Sequence, residues 1–149
     1  TCVIGSHPSI VRNSDNVRLM RDLTPKEAWS LLQSEPDALL IDIRMEIESM
    51  YVGRPPGAVH VAWYESPEFT PNPPQFVEQV MHEAGRKDRT VLVLCRSGQR
   101  SVDAALALEQ HGFTQVINVL HGFEGDLDAA FHRSTVNGWR HDGLPWEQL

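Results

Sequence analysis

The chain has 149 residues, which suits one domain that buries its own hydrophobic core without a disulfide or metal. Its 13 basic and 20 acidic side chains give a formal net charge of −7, which argues against nucleic acid or an anionic membrane as a partner. No apolar run approaches the roughly 18 residues that a membrane span requires. We therefore expect a cytoplasmic protein. A periplasmic one is the alternative, because the chain begins at Thr1 rather than Met.

Metal and disulfide chemistry find little support in the sequence. The two cysteines, Cys2 and Cys95, do not make a disulfide scaffold, although a bridge between them stays an alternative. The seven histidines show no paired ligand spacing, and one available cysteine cannot form a Cys-x2-Cys clamp. We expect no metal and no other cofactor.

The N-terminal part begins with a polar stretch without clear periodicity. Residues 1–16 are therefore predicted to be a tail, followed by a single domain over 17–149. In "LTPKEAWSLL", Thr24 and Glu27 have the spacing of a capping box and predict the start of a helix. The apolar run "ALLIDIR" at 38–44 predicts a buried strand.

The middle of the chain continues the alternation of strands and helices. "GAVHVAW" at 57–63 predicts a second strand, and "TVLVLC" at 90–95 is the strongest strand signal in the chain. Between them, a helix is predicted over Pro73–Ala84, with Asn72 as its N-cap and Gly85 as its stop.

The C-terminal third carries the strongest helix pattern, "QRSVDAALALEQHG" at 99–112. A strand is predicted at 115–120 and a last helix within "GFEGDLDAAFHR" at 122–133. The remainder is expected to be an irregular tail pinned by Trp139 and Trp146.

Alternating short apolar strands and helices predict an α/β fold with a parallel sheet covered on both faces. Ligands of such sheets bind at the carboxyl ends of the strands. Cys95 lies at that end of the strongest strand, directly before a helix. Its position makes it a candidate nucleophile.

The loop "CRSGQR" has the composition of an anion site. A strand-to-helix turn directs backbone N–H groups and the positive end of a helix dipole at one point, which favours a thiolate at Cys95. Arginines add donors for an oxyanion, and a glycine lets the backbone curl around a bound group. We predict Cys95 as the catalytic residue. The predicted substrate-binding residues are Arg96, Ser97, Gly98, Gln99, Arg100 and Ser101.

Loop length separates two chemistries. Cysteine-dependent phosphatases place Arg six positions after Cys, which would require Arg at 101, where this chain has Ser101. Here Arg100 closes a span that is one residue shorter. A tighter ring of amides should crowd a phosphate and suit a single extra sulfur on Cys95.

These motifs resemble the rhodanese family of sulfurtransferases, and most closely its small bacterial single-domain members. The matching pieces are "LIDIR", "PPGAVHVAW", "VLVLCRSGQRS", "AALALEQHGF", "VINVLHGFEGD" and "GWRHDGLPW", in the order of the family and over roughly 17–146. The resemblance implies an open five-stranded parallel sheet flanked by helices on both faces.

The resemblance also implies roles for residues outside the loop. Cys95 would be the only covalent catalytic residue, and Asp42 and Arg44 would support the site by hydrogen bonds and charge pairing. One departure is Arg54 in "GRPPGA", where the family usually has His, and it would add positive charge near the site. The connection at 64–74 is a second place where specificity could differ.

The expected reaction is transfer of a sulfane sulfur from thiosulfate or a persulfide donor, through a Cys95 persulfide. The acceptor would be cyanide, a thiol or a carrier protein. Three alternatives stay open: a relay of persulfide between proteins, a phosphatase or arsenate reductase on a related fold, and a noncatalytic interaction module.

Overall fold

The computed structural model describes residues 8–12 and 17–149, with side chains from Met20 onward. Of the predicted tail at 1–16, residues 1–7, which include Cys2, and residues 13–16 lie outside the described residues. The elements in chain order are β1 (Pro8–Arg12), β2 (Val17–Leu23), α1 (Pro25–Ser34), β3 (Leu39–Asp42), a π-helical turn (Glu48–Val52), β4 (Val59–His60), α2 (Pro73–Ala84), β5 (Val91–Leu94), α3 (Arg100–Gln110) and β6 (Val116–Val119).

The strands form one sheet in the order β1-β2-β6-β5-β3-β4. Five neighbouring strands of this sheet, β2, β6, β5, β3 and β4, run parallel. The edge strand β1 pairs antiparallel with β2. The predicted open five-stranded parallel sheet is therefore confirmed, with β1 added at one edge. β5 is the central strand of the parallel five, so the residue that follows it lies in the middle of one sheet edge.

Side chains of the inner strands alternate between two hydrophobic layers. Leu39, Ile41, Val91 and Val93 face the layer that contains α2 and α3. The opposite layer contains α1 and Trp139, and its strand residues are Leu40, Leu92, Leu94, Ile117 and Val119. Because both faces are covered, every residue of β3, β5 and β6 is buried. Helices on both faces were predicted and are confirmed.

Two helices begin and end where the sequence predicts. Thr24 and Glu27 form the capping box of α1, with N–H···O distances of 2.9 and 3.2 Å. The Asn72 side chain accepts from the N–H of Gln75 at the start of α2, and Gly85 ends that helix with φ +81°.

Two predictions, one for residues 1–16 and one for residues 122–133, are corrected by the structure. Residues 8–12 were predicted to belong to a tail, because the stretch 1–16 is polar and lacks periodicity. In the structure they form β1, whose backbone pairs with that of β2. The predicted helix at 122–133 is absent. The N–H groups of Phe123, Glu124 and Gly125 instead donate to the carbonyls of Cys95 and Arg96 at 2.8 to 3.1 Å.

The backbone of this segment also cannot continue a helix. Gly122, Gly125 and Phe131 have positive φ values of 62°, 78° and 62°. The strand predicted at 57–63 is likewise shorter, since only Val59–His60 pairs with β3. No helix within the described part of the chain is long and apolar enough to cross a membrane.

Candidate active site

Cys95 follows β5 directly and precedes a four-residue turn that leads into α3. Its side chain belongs to the core layer of α2 and α3 and is 1% exposed. The N-cap residue of α3, Gln99, makes no side-chain hydrogen bond to the start of the helix. The first-turn N–H groups of that helix are therefore available to the cysteine sulfur.

The Cys95 sulfur accepts two backbone hydrogen bonds. The N–H of Gly98 lies 3.1 Å from Sγ, and the N–H of Ser101, in the first turn of α3, lies 3.4 Å from it. Gly98 has φ +97°, which turns its amide inward and which a residue with a Cβ rarely adopts. This arrangement stabilises negative charge on the sulfur.

A buried polar chain leads from the sulfur to the next strand. Ser101 Oγ lies 3.3 Å from Cys95 Sγ and donates to Oδ1 of Asn118 at 2.5 Å. The Asn118 amide donates in turn to Asp22 Oδ1 at 3.2 Å. Asp22 can only accept when ionised, so it fixes the orientation of the Asn118 amide and thereby the direction of the Ser101 hydroxyl.

The segment after β6 packs against the start of the cysteine loop. A Cβ on Gly122 would lie 2.6 Å from the carbonyl carbon of Arg96, and Gly122 has φ +62°. Only glycine allows this approach. The segment then donates backbone hydrogen bonds to the carbonyls of Cys95 and Arg96, which fixes the loop from outside.

A cavity of about 330 Å³ opens beside the loop. Arg96 and Arg100 both line it, and the Arg96 side chain is exposed. Ser97 is half-buried and Gln99 exposed, and neither side chain makes a hydrogen bond with the described residues. The other lining residues are Met45, Glu48, Val52, Tyr64, Glu124 and Arg133.

The Glu48 carboxylate forms an ion pair with the guanidinium of Arg100. Both Nη atoms donate to the two carboxylate oxygens at 2.9 Å, and the two side chains are only 12% and 15% exposed. The Arg100 guanidinium also lies 5.4 Å from the centroid of the Tyr64 ring. Burial raises the pKa of Glu48, but the hydrogen bonds and charge of Arg100 outweigh it and hold that pKa below its usual value.

Asp42 and Arg44 pair with each other at the end of β3. The guanidinium makes two hydrogen bonds to the carboxylate, at 2.9 and 2.7 Å, and a third to the carbonyl of Gly53. Both side chains are fully buried, and the guanidinium stacks 4.5 Å from the Phe123 ring centroid. The pair thus ties β3 to the segments at 53 and 123.

Arg54, which was expected to add positive charge near the site, is not among the residues that line this cavity, but its guanidinium lies 3.5 Å from the carbonyl oxygen of Ser49, next to Glu48. It pairs with Glu147 at 3.4 Å and exchanges backbone hydrogen bonds with the same residue. These contacts with Glu147 attach the C-terminal segment to residue 54.

Three residues of the site escaped sequence reasoning: Glu48, Asn118 and Gly122. Each lies outside the cysteine loop in the sequence and comes close to it only in the folded structure. Glu48 follows the "LIDIR" strand by a few residues, and Asn118 is a polar residue within a buried strand, which was the one local signal available. No group of three His, Cys, Asp or Glu side chains within the described residues could hold a metal ion.

Comparisons with known proteins agree with this geometry. The model of the rhodanese-like domain matches residues 24–129. The thiosulfate sulfurtransferase GlpE of Glaesserella parasuis is 33% identical over 104 residues, which cover 70% of this chain and 83% of that protein.

Two solved structures are similar as a whole. Rv0390 from M. tuberculosis is 42% identical with a TM-score of 0.75, and the match covers 86% of this chain and 97% of that one. The polysulfide-sulfur transferase homodimer from Wolinella succinogenes is 25% identical with a TM-score of 0.59, over 87% of this chain and 80% of that one.

The family model spans more than two thirds of the chain and includes the strand, cysteine loop and helix described above. Its match, together with the similarity to GlpE and Rv0390, shows that this chain belongs to the rhodanese family.

Proposed function

We propose that the protein is a sulfurtransferase that moves a sulfane sulfur from thiosulfate or a persulfide donor to a thiophilic acceptor through a persulfide on Cys95. The observation that carries the proposal is the Cys95 sulfur in a turn of backbone amides at the end of the central strand. The similarity to relatives named thiosulfate sulfurtransferase supports the reaction class.

The first half-reaction is an attack of the Cys95 thiolate on the outer sulfur of thiosulfate. The new S–S bond forms while the bond to the sulfonate sulfur breaks, and its electron pair leaves with sulfite. The cysteine now carries a persulfide anion. The amides of Gly98 and Ser101 and the N-terminal end of α3 stabilise this charge.

The second half-reaction returns the cysteine to its starting state. A nucleophilic acceptor such as cyanide, a thiol or a sulfur-carrier protein attacks the terminal sulfur, and the Cys95 thiolate leaves. Covalent catalysis of this kind gives ping-pong kinetics. Arg96, Ser97, Gly98, Gln99, Arg100 and Ser101 are the proposed binding residues of the donor, with Asp42 and Arg44 in support.

Formation of thiocyanate from thiosulfate and cyanide tests the proposal. The parent should turn over with parallel lines in double-reciprocal plots, and Cys95→Ser should be inactive although folded. Loading only by a protein persulfide would select the relay in place of thiosulfate chemistry. Hydrolysis of a phenyl phosphate without any sulfur transfer would overturn the proposal in favour of a phosphatase.

A further inference from the structure

The cavity beside the cysteine loop contains arginines of two kinds. Arg100 is paired with Glu48, whose carboxylate accepts hydrogen bonds from both of its Nη atoms at 2.9 Å. Arg96 and Arg133 also line the cavity, and neither forms an ion pair with an acidic side chain of the described residues. The positive charge available to an entering anion therefore comes from Arg96 and Arg133.

The second glutamate of the cavity wall does not cancel these two charges. Glu124 lies 3.9 Å from the guanidinium of Arg140, so its carboxylate already has a cationic partner. Both Arg96 and Arg133 carry their charge at any pH near neutrality. An anion that enters the cavity thus meets a local excess of positive charge, although the whole chain has a formal net charge of −7.

Arg133 is held in place through the segment that follows β6. Its Nη1 atom donates to the carbonyl of Gly125 at 2.8 Å, and the N–H of Gly125 donates to the carbonyl of Arg96 at 3.1 Å. The hydroxyl of the next residue, Ser134, accepts two hydrogen bonds from Arg140, at 3.2 and 2.8 Å. The half-buried Arg133 side chain is therefore tied to the start of the cysteine loop, and it loses little conformational freedom when an anion binds.

The guanidinium of Arg133 has hydrogen-bond donors to spare. An arginine carries five N–H donors, and the carbonyl of Gly125 is the one acceptor that Arg133 meets among the described residues. The remaining N–H groups suit the oxygen atoms of a sulfonate, which a guanidinium can bind as a fork. In Arg100, by contrast, both Nη atoms already donate to Glu48. Arg133 thus offers the free oxyanion donors that the loop spacing assigned to Arg100.

We propose that Arg133 is a donor-binding residue whose guanidinium, together with that of Arg96, holds the sulfonate group of thiosulfate while Cys95 attacks the outer sulfur. This inference rests on the proposed sulfurtransferase function. The new S–S bond forms on Cys95, the bond to the sulfonate sulfur breaks, and its electron pair leaves with sulfite. Because thiosulfate and sulfite both carry two negative charges, Arg133 acts mainly on binding of the donor rather than on the bond-breaking step.

The two half-reactions of Arg133→Gln test this role, because one involves a sulfonate and the other does not. We would measure the rate of sulfur loading on Cys95 against thiosulfate concentration, and then the discharge of the persulfide by dithiothreitol, an uncharged acceptor. The thiosulfate concentration that gives half the maximal loading rate should rise about tenfold at low ionic strength, since a dianion loses one nearby positive charge. The maximal loading rate and the discharge rate should match those of the parent.

Arg86→Gln is the matched control, because it makes the same change of net charge on a side chain that is 52% exposed. Arg86 lies between α2 and β5, at the opposite end of β5 from Cys95. Its half-saturating thiosulfate concentration should equal that of the parent.

Two results for Arg133→Gln would overturn the inference. One is an unchanged half-saturating concentration. The other is an equal slowing of loading and discharge, which would make Arg133 a structural support of the loop. A parent that takes up no sulfur from thiosulfate would instead refute thiosulfate as the donor, and the inference with it.

Discussion

Glu48 and Arg100 lie 52 positions apart in the chain and form a two-fold hydrogen-bonded ion pair beside the cysteine loop. The sequence predicted Arg100 as a contact for an anionic donor, because its distance from Cys95 can be counted within one loop. Its partner Glu48 could not be identified from spacing in the sequence, because it lies outside the loop. It depends on how the segment after β3 crosses the carboxyl edge of the sheet.

The same ion pair predicts a dependence of stability on acid. The pKa of Glu48 is lowered in the folded state, so the pair stabilises the fold fully above the unfolded value of about 4.5 and loses this contribution as pH falls through the lower folded value. At pH 7, Glu48→Gln should reduce the free energy of unfolding by about 1–3 kcal/mol. The difference from the parent should shrink between about pH 5 and pH 3.

Urea unfolding at several pH values measures this difference. Glu46→Gln, on an exposed side chain, should leave stability within about 0.5 kcal/mol of the parent at pH 7. A Glu48→Gln deficit that stays constant down to about pH 3 would show that the carboxylate charge does not contribute.

Asn118 is a second residue whose partners could not be predicted from the sequence. A polar residue in the buried run "VINV" needs a hydrogen-bond partner, and that much can be inferred from sequence. Its partners Ser101 and Asp22 come from α3 and β2, and only the sheet order brings them together.

Elements with local signals were predicted well. The capping box of α1 and the Asn72 and Gly85 ends of α2 are interactions within a few residues, so the sequence contains both partners. The predicted helix at 122–133 was wrong for the opposite reason. Its backbone N–H groups satisfy carbonyls of the cysteine loop, which lies much earlier in the chain.

Gly122→Ala tests whether this segment fixes the loop. A methyl group there would meet the backbone of Cys95 and Arg96, and φ +62° disfavours any side chain. We expect a loss of stability of about 1–3 kcal/mol and a reduced rate of sulfur loading at Cys95.

Gly143→Ala is a matched control, since Gly143 also has a positive φ of 78°, but a methyl group there would meet no other described residue beyond its chain neighbours within 4 Å. It should lose stability from backbone strain and retain the loading rate. Equal loading rates in the two alanine variants would show that the close approach at Gly122 does not shape the loop.

At the scale of the whole molecule, the C-terminal segment connects the core to the site. Trp139 is fully buried against α1, with its ring 5.8 Å from that of Trp29, and its backbone N–H donates to the carbonyl of Gly122 at 2.9 Å. The sequence predicted that Trp139 and Trp146 pin this segment. Both tryptophans contact the rest of the fold, but to different degrees: Trp146 is 42% exposed and packs one edge of its ring against Phe123, with ring centroids 6.2 Å apart.

Trp139→Ala should therefore cost about 3–5 kcal/mol of unfolding free energy, the range for a large aromatic removed from a core. Trp146→Ala should cost clearly less, because much of its ring already contacts solvent. Chemical unfolding of both variants gives the comparison. Equal losses would contradict the burial difference.

The sheet and its two helical layers hold the Cys95 sulfur directly after the central strand, at the carboxyl edge of the sheet. We propose that the chemistry takes place on this one sulfur atom. Intact-mass measurement after incubation with thiosulfate, then with cyanide, tests that claim most directly. We predict one added sulfur that cyanide removes, and none on Cys95→Ser. A Cys95→Ser variant that still gains and transfers sulfur would contradict it.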